Sequence, residues 1–131
     1  MAVEHMTPGR EFRHSILVVD DDPQVRKFVG QVLGRAGYSL FDASNGLEAK
    51  ALMERVRFDA MILDLSMPEM DGFEVLKFAH SALPKLKIIV ISGFMQGTML
   101  KAAKLFGAVA TLDKPIEIAL LLSTVRDAVG E

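Results

Sequence analysis

Five short apolar runs alternate with five segments of helical periodicity, and this alternation constrains the fold more than any other feature of the sequence. The runs are "SILVVD", "YSLFDA", "FDAMILDL", "LKIIVIS" and "AVATL". They are too short for helices and rich in β-branched residues, as strands buried on both faces require. "YSLFDA" is weaker and more polar, which predicts an edge strand. Pro23 suits the first turn of a helix, where its missing N–H is no loss. That helix is expected to run to about Ala36, with Val25, Phe28, Val29, Val32 and Leu33 inward and Arg26, Lys27, Gln31 and Arg35 outward. Gly37 supplies its stop.

The spacing predicts further helices over about 46–56, with Leu47, Ala51 and Leu52 inward, and from Phe73 to Leu83. A fourth is expected over 98–106, with Met99, Ala102, Ala103 and Phe106, and a fifth in "IEIALLLSTVRDAV". Strands alternating with helices in this way predict a parallel α/β sheet covered on both sides, in one domain over residues 15–131. Residues 1–14, "MAVEHMTPGREFRH", lack periodicity and are expected to be a poorly ordered leader.

Composition narrows the chemistry. The absence of cysteine excludes disulfides, zinc–thiolate sites and thiol catalysis. A net charge of −2 with no basic run argues against a nucleic-acid footprint. No apolar stretch reaches spanning length and no signal-peptide core opens the chain, so the expectation is a cytoplasmic protein without a membrane partner. His5, His14 and His80 lie apart and are read as surface residues.

In open parallel sheets, ligands bind beyond the carboxyl ends of the strands. There the sequence places Asp20, Asp21 and Asp22 after strand one, Asp64 at strand three, Ser92 at strand four, and Asp113, Lys114 and Pro115 at strand five. Gathered carboxylates repel one another and raise some pKa values. A hard divalent ion resolves that conflict, and magnesium takes oxygen ligands while keeping waters for a phosphoryl group. Lys114 adds a point charge and Ser92 a hydrogen-bond donor. The chemistry indicated is phosphoryl transfer, with an aspartate able to act as nucleophile. Asp22, directly before Pro23, reads as a helix cap, as does Asp71 before Gly72; Asp113 reads as solvent-facing.

The motifs "VVDD", "ILDLSMPEMDG", "VISG" and "DKP", in this order at the ends of strands one, three, four and five, resemble the CheY-like receiver domain of response regulators in two-component signalling. The resemblance covers roughly residues 15–130. It implies a flavodoxin-like (βα)5 doubly wound fold with strand order 2-1-3-4-5. It also implies that Asp64 is the phosphoacceptor and a ligand of Mg2+. Asp21 would bind the metal directly, Asp20 mainly through water, and the backbone carbonyl of Ser66 would be the third protein ligand. Ser92 matches the hydroxyl residue that turns toward the phosphoryl group, Lys114 the family's lysine, and Pro115 a residue whose peptide bond is often cis.

One position departs from the family. An aromatic residue usually stands three before the lysine, and here that place holds Thr111. A threonine cannot swing a ring, so switching is expected to rest on helix four and the loop "GFMQG", whose glycines can absorb backbone change. The function implied is a phosphorelay switch, phosphorylated by a sensor histidine kinase or histidine phosphotransfer protein. It would catalyse its own phosphorylation and slow dephosphorylation, without being a turnover enzyme. Its surface of helix four, strand five and helix five would act on an effector on a separate chain. A receiver-fold interaction module that is never phosphorylated is the alternative. An aspartyl-phosphate phosphatase fits less well, because the second acid such enzymes commonly carry two residues after the nucleophile is replaced by Ser66. The run "IALLL" at residues 118–122 leaves Ile118 or Leu121 for a homodimer or a partner.

Overall fold

A computed structural model describes residues 14–66, 72–93 and 97–131. Five parallel strands, β1 (Ser15–Val19), β2 (Ser39–Ala43), β3 (Ala60–Asp64), β4 (Lys87–Ser92) and β5 (Ala108–Asp113), form one sheet in the order β2-β1-β3-β4-β5. Helices α1 (Pro23–Arg35), α2 (Gly46–Arg55), α3 (Gly72–Ala82), α4 (Gly97–Leu105) and α5 (Ile118–Val129) connect and follow them. The flavodoxin-like order and the edge position of β2 agree with the sequence reading.

Strand periodicity divides the core in two. Successive side chains point to opposite faces, so Leu17, Val19, Met61, Leu63, Ile88 and Val90 face α2, α3 and α4. Ile16, Val18, Ile62, Ile89 and Ile91 face Val29 and Leu33 of α1 and Leu121 and Val125 of α5. A fully buried Leu or Ile contributes about 1.5–3 kcal/mol. This two-layer core thereby offsets the burial of charged groups at its upper edge, which costs several kcal/mol per ion.

The helix faces hold the principal corrections. Leu47 is 68 % exposed and Ala51 is also exposed, whereas Gly46, Ala49 and Met53 are buried. The rotation of α2 is fixed at its start, where Asn45 Oδ1 accepts from Glu48 N and Glu48 Oε1 accepts from Ser44 N. The same bond from the Ser44 backbone holds the Glu48 carboxyl below the usual range. Small residues then face the sheet and the leucine faces out. Phe28, Met99 and Phe106, expected inward, lie at the exposed margin of their helices. In α5, Leu121 is fully buried, leaving Ile118 and Leu120 exposed.

His14 belongs to the fold. Its carbonyl accepts from Ser39 N, and its ring lies 3.2 Å from Glu131 Oε2 and 3.6 Å from Asp59 Oδ2. The remainder of the expected leader, Asp71, and residues 94–96 of "GFMQG" lie outside the described residues. Among the described residues, no helix is long and apolar enough to cross a membrane.

Candidate functional site

The site grows from the upper end of β1. Asp20 N donates to Ala43 O of β2, and Asp20 Oδ1 accepts from Asp22 N at 2.9 Å. Asp22 in turn accepts from Gln24 N at 2.9 Å, with Pro23 opening α1. The tight turn therefore uses Asp22 as the helix cap, as the sequence suggested. Asp20 is completely buried and Asp21 is exposed.

Arg26 locks this turn. Its Nη1 donates to Asp20 O at 2.7 Å and its Nε donates to Asp42 Oδ2 at 2.9 Å. The sequence reading turned Arg26 outward with its neighbours; the structure instead folds its half-buried side chain back over β2. Helical periodicity carries no signal for such a return.

Asp64 ends β3 with 1 % exposure. Its Oδ1 accepts from Ser66 N at 2.9 Å, and Leu65 N donates to Ile91 O, which holds the chain against β4 as it leaves the sheet. Lys114 reaches across from the end of β5, placing Nζ 2.9 Å from Asp20 Oδ2 and 3.4 Å from Asp64 Oδ2. Among the described residues, Asp20 Oδ2 has no well-aligned hydrogen bond, so the ammonium is its compensating contact. The Lys114–Pro115 peptide bond is cis.

Ser92 is 2 % exposed at the end of β4, and its Oγ lies 3.0 Å from Ser66 Oγ. Its carbonyl accepts from Lys114 N at 3.1 Å, so the hydroxyl residue and the lysine share a backbone link between β4 and β5. Sequence reasoning had assigned Ser66 only a backbone carbonyl; its hydroxyl is a second polar group in the site. Thr111 is half-buried on β5, paired in register with Val90. Asp113 is exposed, as expected.

Burial pushes the Asp64 pKa up. The Ser66 N–H opposes that shift, the Asp20 charge reinforces it, and Lys114 opposes it; the net direction is upward. For Lys114, burial alone would lower the pKa, but close contact with Asp20 and the charges of Asp20 and Asp64 outweigh it and raise it. The lysine therefore stays charged, and Asp64 is held in a setting that disfavours its anion.

This donor set fits a small divalent cation. Asp20, Asp21 and Asp64 each offer a carboxylate oxygen, all within 4.8 Å of one another. Three carboxylates and one ammonium leave two negative charges, which a divalent ion cancels. Oxygens on opposite sides of magnesium stand about 4.2 Å apart, twice a bond of about 2.1 Å. A set of this width accommodates it with one carboxylate acting through water.

Comparison with known proteins shows the family. Residues 16–126 match the family model for the response regulator receiver domain, and the chain belongs to that family. It is 33 % identical over 114 residues to sporulation initiation phosphotransferase F of Bacillus subtilis, covering 87 % of this chain and 89 % of that protein. It is 32 % identical over 116 residues to the transcriptional regulatory protein GlrR of Escherichia coli, covering 88 % of this chain but only 26 % of that longer protein. Among solved structures, a CheY-like receiver domain protein from Methanospirillum hungatei superposes with a TM-score of 0.86 at 29 % identity, covering 89 % of this chain and 94 % of the other.

Proposed function

We propose that this receiver domain is a phosphorelay switch in which Asp64 accepts a phosphoryl group. The observation that carries the proposal is the convergence of Asp20, Asp21 and Lys114 on Asp64 at one edge of the sheet. A carboxylate oxygen of Asp64 attacks phosphorus in a phosphohistidine of a sensor kinase or histidine phosphotransfer protein. The P–N bond breaks, an acyl-phosphate P–O bond forms, and the imidazole leaves with a proton from solvent. Lys114 neutralises charge on the phosphoryl oxygens, and the Ser92 hydroxyl donates to one of them once it turns from Ser66. Asp21, Asp64 and the Ser66 carbonyl would hold Mg2+, with Asp20 acting through water. The ion supplies neutralisation of the transferring group.

The switch acts through differential affinity of an effector for the two states. Leu105, Val109, Ile118 and Leu120 stay exposed along α4, β5 and α5, an apolar face suited to a separate effector chain or a second copy. With Thr111 in place of an aromatic, the switch rests on α4 and the loop that follows Ser92, whose carbonyl also accepts from Lys114 N. The similarity to a protein named a phosphotransferase supports a relay role, and a cytoplasmic location belongs to the same proposal.

The test is incubation with magnesium and acetyl phosphate, followed by intact mass measurement. One phosphoryl increment is expected, and Asp64→Asn abolishes it. An unmodified wild-type protein would leave the interaction-module reading in its place.

A further inference from the structure

At the opposite end of the sheet lies a cavity of about 500 Å³. It opens where the chain enters β3 and β4, between residues 53–58 at the end of α2 and residues 82–86 at the end of α3. A five-residue strand rises about 3.3 Å per residue, so β3 separates this cavity from the phosphoacceptor end by roughly 16 Å. Nothing in the phosphorylation chemistry uses it.

Its floor is the lower margin of the core. Met53, Phe58 and Leu86 are buried core residues that line it, joined by the partly buried Leu83. Its rim is cationic. Arg55, Arg57 and Lys85 line the opening against a single acid, Glu54. None of the three cations has an ion-pair partner among the described residues. In a chain with an overall charge of −2, the described residues thus gather three cations without ion-pair partners among themselves around an apolar depression. Arg55 also lies in the last turn of α2, where a cation complements the helix end. Arg57 and Lys85 lie beyond the helices, so that explanation does not reach them.

We infer that this basal cavity is a docking site for an acidic peptide segment of a partner protein, which places one apolar side chain over Phe58 and Leu86 and flanking carboxylates against Arg57 and Lys85. Charge complementarity selects the sign of the partner, and the apolar floor selects an anchored peptide over a merely polyanionic surface. Because the site is remote from Asp64, a partner held here leaves the phosphoacceptor edge open to its kinase.

The probe is a fluorescein-labelled peptide, Asp-Glu-Asp-Leu-Phe-Asp-Glu, titrated with the whole chain and followed by anisotropy and by amide NMR shifts. Saturable binding with shifts confined to residues 53–58 and 82–86 is expected. Arg57→Glu with Lys85→Glu should weaken binding at least tenfold, while Arg35→Glu on α1 leaves it unchanged and all variants retain the wild-type circular dichroism spectrum. Replacing Leu-Phe in the peptide by Ser-Ser should also weaken it at least tenfold. Equal binding of the Ser-Ser peptide, stronger binding of polyadenylate RNA or of phosphatidylglycerol vesicles to the same residues, or an absence of saturable binding would each overturn the inference. The result is independent of phosphorylation, since Asp64→Asn should bind the peptide as wild type does.

Discussion

Lys114 is paired more closely with Asp20 than with Asp64, at 2.9 Å against 3.4 Å. The cation of the site is thus committed first to the carboxylate that is completely buried, and second to the one proposed to react. Removing the ammonium exposes what it compensates. Lys114→Met should lower metal-free stability by about 1–3 kcal/mol, the usual penalty for a buried polar group left without its partner. Adding Asp20→Asn should recover part of that loss. Urea unfolding of both variants measures it, and a double variant no more stable than Lys114→Met would show that Asp20 is not what the lysine supports.

The raised pKa of Asp64 has a definite sign in stability. A carboxyl whose folded pKa exceeds its unfolded value stabilises the fold while protonated, and that contribution is lost as pH rises through the folded pKa. Burial is the leading cause here. Asp64→Asn should therefore melt a few degrees above wild type at neutral pH without magnesium. The gap should close as pH falls toward the ordinary value of 3.8 and should narrow when magnesium is added. Melting curves across pH decide this; a gap that widens on acidification contradicts the assignment.

Asp21 and Asp22 are neighbours in sequence, but Asp22 caps α1 and Asp21 is proposed to hold the metal. Asp22→Ala removes the oxygen that accepts from Gln24 N, so it should cost about 1 kcal/mol of stability and leave magnesium affinity within twofold. Asp21→Ala should leave stability nearly unchanged and weaken magnesium at least tenfold. Isothermal titration calorimetry with parallel denaturation separates the two. Equal loss of metal in both variants would refute the division.

Gly72 is required for a reason unrelated to turn conformation. A Cβ at this position would stand 2.5 Å from Leu65 Cα and 2.6 Å from Asp64 O, both backbone atoms that cannot swing aside. Gly72→Ala should push α3 off the end of β3, destabilise the domain by about 2 kcal/mol or more, and slow labelling of Asp64 by acetyl phosphate. A variant with wild-type stability and labelling would show that α3 accommodates the methyl group.

Much of this was legible in the sequence because burial on both faces leaves a strand no room for polar residues. "ILVV", "AMIL" and "KIIVI" therefore marked both the strands and the sheet edge where Asp20, Asp64 and Ser92 stand. Asp22 was readable as a cap because Pro23 fixes where α1 starts. What periodicity could not supply was helix rotation. Leu47 fits an inward stripe as well as Ala49 does, and only the cap formed by Asn45 and Glu48 decides between them. Arg26 and the Ser66 hydroxyl were missed because their partners, Asp42 and Ser92, come from other strands. The basal cavity combines two segments that join only once β3 and β4 lie side by side.

Val19 and Leu63 are paired in register between β1 and β3, so Asp20 and Asp64 are the next residues on adjacent strands. Strand separation in a sheet is about 4.8 Å, and backbone hydrogen bonds well below the pocket hold it there. The sheet therefore behaves as a calliper that sets how far apart these two carboxylates stand. In the proposed site, a substitution in that ladder would change the spacing of the two carboxylates while every side chain of the pocket stayed in place.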